Sequence, residues 1–91
     1  MNNTAPIGFF DSGLGGLSVL REARKALSRE DYIYFGDSKN APYGVREPAD
    51  ILALTRAAAQ RLLEEGIKAL VIACNTATGV SLEALRQELP I

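Results

Sequence analysis

The sequence predicts an α/β fold: a parallel, doubly wound sheet built as βαβαβα with strand order 2-1-3. Two observations carry that expectation. Three short apolar runs alternate with three longer segments whose apolar residues recur at helical spacing, and each apolar run stops at glycine or small polar residues that turn a chain. Strands separated by helices return through right-handed crossovers and lie parallel in one sheet.

Ile7 to Phe10 forms the first run and passes directly into Asp11-Ser12-Gly13-Leu14-Gly15-Gly16, a strand followed by a glycine-rich turn. From Leu17 the residues Leu20, Ala23 and Leu27 follow at spacings of three, three and four, with Arg21, Arg24 and Lys25 on other faces, which predicts an amphipathic helix. The β-formers of Asp31-Tyr32-Ile33-Tyr34-Phe35 make the second strand, closed by Gly36-Asp37. A long loop through Lys39-Asn40-Ala41-Pro42-Tyr43-Gly44 follows it.

Pro48 suits the first position of a helix that runs to Glu65, and Gly66 suits the left-handed residue that ends it. Ala69-Leu70-Val71-Ile72-Ala73 is a continuous apolar run of the kind buried on both faces of a parallel sheet, and it ends at Cys74. Asn75 or Thr76 is expected to cap a last helix carrying Leu82, Leu85 and Leu89 on one face, with Pro90 as its stop. In the order 2-1-3 the first helix lies on one face of the sheet and the other two lie opposite. One face is then thinly covered and one strand edge stays free. We read residues 1–91 as a single α/β segment, part of a larger domain.

Composition excludes several function classes. Ten basic and eleven acidic residues give a net charge of -1, which leaves no electrostatic footprint for nucleic acid or an anionic membrane. With no histidine there is no Ser-His-Asp triad and no His-ligated metal, and a single cysteine allows neither an internal disulfide nor a cysteine metal cluster. The first residues, Met1-Asn2-Asn3-Thr4-Ala5-Pro6, lack the pattern of a signal peptide, so a cytoplasmic location is expected.

Ligands of open parallel sheets bind beyond the carboxyl ends of the strands, where the strand order reverses. Here that point lies between the first and third strands, so Asp11-Ser12-Gly13 and Cys74-Asn75-Thr76 should face one crevice. Cys74 at a helix N-terminus is placed to act as a thiolate, although a lone cysteine ending an apolar run also fits a small buried hydrophobe. Asp11 suits either chemistry or the capping of its own turn. Gly13, Gly15 and Gly16 permit close backbone approach. Neither a Walker loop nor the dinucleotide pattern is completed, since no Lys follows them and Ser18 stands where a last glycine belongs. Asp37 closes the second strand and fits a ribose acceptor of a nucleotide fold less well than a solvated turn residue. Tyr43 lies in a loop on the same sheet edge, within reach of the crevice.

Phe10-Asp11-Ser12-Gly13-Leu14-Gly15-Gly16-Leu17, Tyr34-Phe35-Gly36-Asp37, Pro42-Tyr43-Gly44 and Ala73-Cys74-Asn75-Thr76-Ala77, in that order and spacing, resemble the glutamate racemases of the aspartate/glutamate racemase family. The match runs from about Ile7 to Ile91 and covers about the first third of such an enzyme. The resemblance implies a cofactor-independent isomerase that interconverts L- and D-glutamate for peptidoglycan synthesis, with two cysteines on opposite faces of the substrate. Cys74 matches the cysteine that acts on D-glutamate, and Asp11 matches an acidic residue that assists it. Asp11, Ser12, Tyr43, Gly44, Asn75 and Thr76 match positions that bind the substrate. The family's second cysteine stands in a Gly-Cys-Thr-His motif far downstream, and this chain has no second cysteine. The remainder of a racemase chain, or a partner chain, would then supply it, and the free sheet edge would favour a homodimer. Aspartate or hydantoin racemases are the nearest alternatives within the superfamily, and a flavodoxin-like binding module is the alternative outside it.

Overall fold

The computed structural model describes residues 4–13 and 15–91. Leu14 of the glycine-rich turn and residues 1–3 lie outside the described residues. Strand β1 (Ile7–Asp11) leads to helix α1 (Leu17–Ala26), strand β2 (Tyr32–Gly36), two short 3₁₀ turns (Ser38–Asn40 and Tyr43–Val45), helix α2 (Pro48–Glu64), strand β3 (Ala69–Ile72) and helix α3 (Asn75–Glu88). The sheet is parallel with the order β2-β1-β3, as the alternation of elements predicts.

Strand register places Phe10 beside Phe35 on one side and Ile72 on the other. These three side chains point to one face, with Ile33 and Leu70, and pack there against Ile51, Ala58 and Leu62 of α2 and Ala77 of α3. The long helix begins at Pro48, whose missing N–H costs nothing at that position. Gly66, at φ 79°, ends the turn after it in the left-handed conformation that glycine adopts without strain. Helices α2 and α3 pack on one another, and their buried residues include the small ones Thr55, Ala58 and Ala59 on α2 and Ala77 and Ser81 on α3.

The opposite face differs from the sequence expectation. Helix α1 has no buried residue; Leu20 and Ala23 are half-buried and Leu27 is 52% exposed. On this face the sheet carries Ile7, Phe9 and Val71 together with Tyr32 and Tyr34, and α1 is held partly by polar contacts. The Tyr32 hydroxyl donates to the Ala23 and Leu27 carbonyls at 3.1 and 2.6 Å. β3 is also less buried than a strand enclosed on both faces, with Ala69 exposed and Leu70, Val71 and Ile72 half-buried. Like β2, it is an edge strand with an open flank. The buried stripe of α3 is Ala77, Ser81 and Leu85; Leu82 is 38% exposed and, with Leu89, lines an apolar groove beside Leu70 and Ile72.

The Ser81 hydroxyl is buried without a hydrogen-bond partner between α2 and α3. An unpaired buried hydroxyl carries a desolvation cost with no return. Ser81→Ala is therefore expected to stabilise the fold by about 1 kcal/mol and to raise Tm by roughly 5 °C in a thermal melt.

Candidate active site

The carboxyl ends of the three strands are pinned together within one step of the ladder. Beyond the last paired residues, the Asp37 N–H donates to the Asp11 carbonyl at 2.9 Å and the Ala73 N–H donates to the Phe10 carbonyl at 2.8 Å. Both loops that leave the sheet here thus start from fixed positions on either side of Asp11. This is the point of strand reversal at which the sequence places the crevice.

Cys74 is the N-cap of α3, and its Sγ accepts the Ala77 N–H at 3.4 Å. The sequence expectation that Asn75 or Thr76 caps this helix is corrected: both lie in its first turn. The cap position follows from where β3 stops, since the chain leaves extended geometry at Cys74 and an N-cap side chain naturally meets the N–H three residues on. Thr78 secures the junction, its Oγ1 donating to the Cys74 carbonyl at 2.9 Å and its own N–H donating to the same carbonyl at 2.9 Å. Sγ is therefore held at the N-terminal end of a fourteen-residue helix with one N–H aimed at it.

From the other side of the reversal point comes Ser12. The Cys74 thiol and the Ser12 hydroxyl are 3.5 Å apart, a contact across 62 positions of sequence. When sulfur is a thiolate, the same hydroxyl can turn and donate to it. Asp11 is 93% buried, and its carboxylate faces its own turn. Oδ1 accepts the Ser12 N–H at 2.8 Å and Oδ2 accepts the Gly16 N–H at 2.6 Å. Asp11 thereby shapes the loop that presents Ser12 and anchors the start of α1, and its link to Cys74 runs through Ser12.

Tyr43 is buried and belongs to the same apolar cluster as Cys74, Ala77 and Phe10, with its ring 6.0 Å from that of Phe10. Its hydroxyl is engaged by Asp37, donating to Oδ2 at 2.6 Å. Gly44, next in the chain, is exposed and has empty space where a Cβ would stand. Asn75 is exposed and Thr76 half-buried at the mouth of the same region. The Asp11-Ser12, Tyr43-Gly44 and Asn75-Thr76 pairs that the sequence singles out thus flank one end of the sheet around Sγ.

Asp37 is the residue that sequence reasoning placed wrongly. It is buried, not solvated, and receives the Asn40 amide at 3.0 and 3.1 Å as well as Tyr43. Its signal in the sequence was a carboxylate six positions before a tyrosine in a loop closed by proline and glycine. The Ala77 N–H was also missed; it follows once Cys74 is recognised as the cap. A groove of about 610 Å³ lies elsewhere, along α1 beside Leu17, Arg21, Arg24 and Tyr32. The region around Sγ is the better candidate, because chemistry-bearing groups converge there and not in the groove. Among the described residues no cluster of His, Cys, Asp and Glu could hold a metal, and no helix is long and apolar enough to cross a membrane.

Burial, reinforced by the Asp37 carboxylate, pushes the Tyr43 phenol well above its ordinary 10.0. Burial and the Asp11 carboxylate push Tyr34 up as well. A phenol harder to ionise in the folded than in the unfolded chain leaves the fold with more bound protons above pH 10, so its stabilisation is complete below that pH and is lost above it. Stability in urea is expected to fall between about pH 10 and 12, and to fall less steeply in Tyr43→Phe.

Similarity to known proteins agrees with this geometry. The glutamate racemase of Clostridium botulinum (strain Kyoto / Type A2) is 57% identical over 89 residues, covering 98% of this chain and 35% of the relative. Over these residues the chain is similar to about a third of a glutamate racemase. The solved glutamate racemase of Thermus thermophilus, in complex with β-chloro-D-alanine, superposes with a TM-score of 0.97 at 44% identity over 100% of this chain and 36% of that one. The Francisella tularensis enzyme, solved with D-glutamate, superposes with a TM-score of 0.90 at 37% identity over 94% of this chain and 33% of that one. The chain spans about a third of the length of the curated relatives it matches. No model of a known protein family matches it.

Proposed function

We propose that this chain carries one half of the active site of a cofactor-independent glutamate racemase, with Cys74 as the base that acts on D-glutamate. The observation that supports this most directly is the Cys74 sulfur at the head of α3, held between the Ala77 N–H and the Ser12 hydroxyl, in a chain 57% identical to a glutamate racemase.

The chemistry needs what the site provides. An amino-acid α-proton is weakly acidic, and without a cofactor to take up the electron pair the carbanion must be stabilised by donors fixed around the substrate carboxylate. In the proposed step the Cys74 thiolate takes the α-proton of D-glutamate, an S–H bond forms, and the C–H electron pair passes into the carboxylate as an enediolate. Ser12, the Tyr43-Gly44 backbone, Asn75 and Thr76 would hold the substrate carboxylate and amino groups. Asp11 would act on Cys74 through the loop that presents Ser12.

The proton on the opposite face would come from a second cysteine supplied by residues outside these 91 or by a partner chain. With a single thiol, the chain by itself returns the proton to the face it came from. It is expected to exchange the α-proton of D-glutamate without producing L-glutamate at an enzymatic rate. The remaining elements of the proposal are a place in peptidoglycan synthesis, a cytoplasmic location and association through the open β3 edge.

A substrate panel tests the assignment. D-Glutamate, D-aspartate and a hydantoin are incubated with the chain in deuterium oxide and deuterium at the reacting carbon is followed by mass spectrometry. Fastest incorporation into D-glutamate supports it. Faster incorporation into either of the others would reassign the chain within the superfamily, and sustained formation of L-glutamate would overturn the one-face account.

A further inference from the structure

We propose that Asp37 is a positioning residue for the glutamate site, acting through Tyr43 to set where the Tyr43-Gly44 backbone stands relative to Cys74. This rests on the glutamate reading above and adds to it a residue that touches neither substrate nor sulfur.

Tyr43 cannot offer its hydroxyl to a substrate while keeping its present place. The residue is 1% exposed and its hydroxyl is committed to Asp37 Oδ2 at 2.6 Å. What remains presentable is its backbone and that of exposed Gly44, beside empty space. The ring works as a post, beside the Phe10 ring in the cluster that includes Cys74 and Ala77, with its tip on Asp37. Asp37 is in turn tied to the centre of the site, because its N–H donates to the Asp11 carbonyl at 2.9 Å. The loop is braced a second time by Arg46, whose Nε donates to the Asn40 carbonyl at 2.9 Å, while the Asn40 amide donates to Asp37.

A carboxylate suits this place better than an amide. Both of its oxygens accept, and both are used, Oδ2 by Tyr43 and Asn40 and Oδ1 by Asn40. Asparagine has one acceptor oxygen and would set its own NH₂ against either the Asn40 NH₂ or the Tyr43 hydroxyl proton. Loss of the anchor frees the Tyr43 tip and lets the Tyr43-Gly44 backbone drift, which weakens the hold on substrate while leaving the base in place.

The test uses the whole chain with Asp37→Asn, Tyr43→Phe and the double variant. Two quantities are measured: the dependence of α-proton exchange on D-glutamate concentration, and the rate at which iodoacetamide alkylates Cys74 without substrate. Tyr43→Phe keeps the ring packing and removes only the hydroxyl, so it reports on the anchor even if Asp37→Asn folds poorly. Each single variant is expected to raise the half-saturating D-glutamate concentration about tenfold, with the saturating rate and the alkylation rate within about threefold of wild type. The double variant is expected to be no worse than the weaker single, because the two residues act as one unit. An unchanged half-saturating concentration in Tyr43→Phe, or losses that multiply in the double variant, would overturn the role of Asp37. Equal losses in exchange and alkylation would overturn it too, since they mark a general structural effect. Absence of exchange in the wild-type chain would overturn the glutamate reading itself.

Discussion

Cys74→Ser is expected to slow removal of the α-proton from D-glutamate by about 10³-fold or more while leaving the fold in place. Serine keeps the size of the side chain but its hydroxyl is a far weaker acid than a thiol, so no anion forms at neutral pH to act as base. It is also among the preferred N-caps. The hydrogen bond that Sγ accepts from Ala77 at 3.4 Å has a ready replacement in Oγ, and α3 keeps its start. The chemical and structural roles of Cys74 are therefore separable by one substitution. Cys74→Ala removes both, and is expected to lose about 1 kcal/mol of stability for the missing cap in addition to activity. Exchange rates and thermal melts on the three proteins check this. A Cys74→Ser chain that exchanges at the wild-type rate would remove the cysteine from the mechanism.

The largest structural effect is expected at Gly36. A Cβ on this residue would be driven into the Gly13 carbonyl and would also press on the Tyr34 ring. The carbonyl it meets is the one that accepts the Tyr34 hydroxyl at 2.8 Å, and it belongs to the turn that Asp11 organises. Nothing there is the free end of a flexible side chain. Either β2 separates from β1 at its carboxyl end or the Asp11-Ser12-Gly13 loop shifts, and overpacking of this kind costs about 1–3 kcal/mol. Gly36→Ala is expected to lower Tm by roughly 10 °C. It should also weaken exchange in the chains that remain folded, because Ser12 moves away from Sγ. A melt within 2 °C of wild type, to be judged against the roughly 4–8 °C expected per kcal/mol at this chain length, would show that the loop absorbs the methyl group.

Much of this arrangement is legible in the sequence because it depends on local chemistry. Apolar runs that stop at Asp11, Gly36 and Cys74 locate the carboxyl ends of the strands, and the parallel order 2-1-3 then brings Ser12 and Cys74 together across 62 positions. Pro48 and Gly66 mark the bounds of α2 for reasons internal to the residues. What is not legible depends on which surfaces meet. The apolar stripe of α1 looks like a buried face, yet none of its residues is buried and Leu27 stays open. The apolar run of β3 looks enclosed, yet its flank is free. Asp37 reads as a turn residue because its partner is a side chain in the next loop, and no periodicity records a contact between Asp37 and Tyr43. The sulfur cap of α3 is hidden for another reason: Asn75 is the more familiar capping residue, and the end of β3 one step earlier decides the position.

One measurement tests the central claim most directly: the α-proton signals of D-glutamate and L-glutamate are followed by proton NMR in deuterium oxide in the presence of the purified chain. The expected result is loss of the signal from D-glutamate alone, with the product remaining D-glutamate, since one thiol removes and returns the proton on one face. Persistence of the D-glutamate signal, or equal loss from both enantiomers, would contradict the assignment of Cys74 as the base of a one-sided half-site.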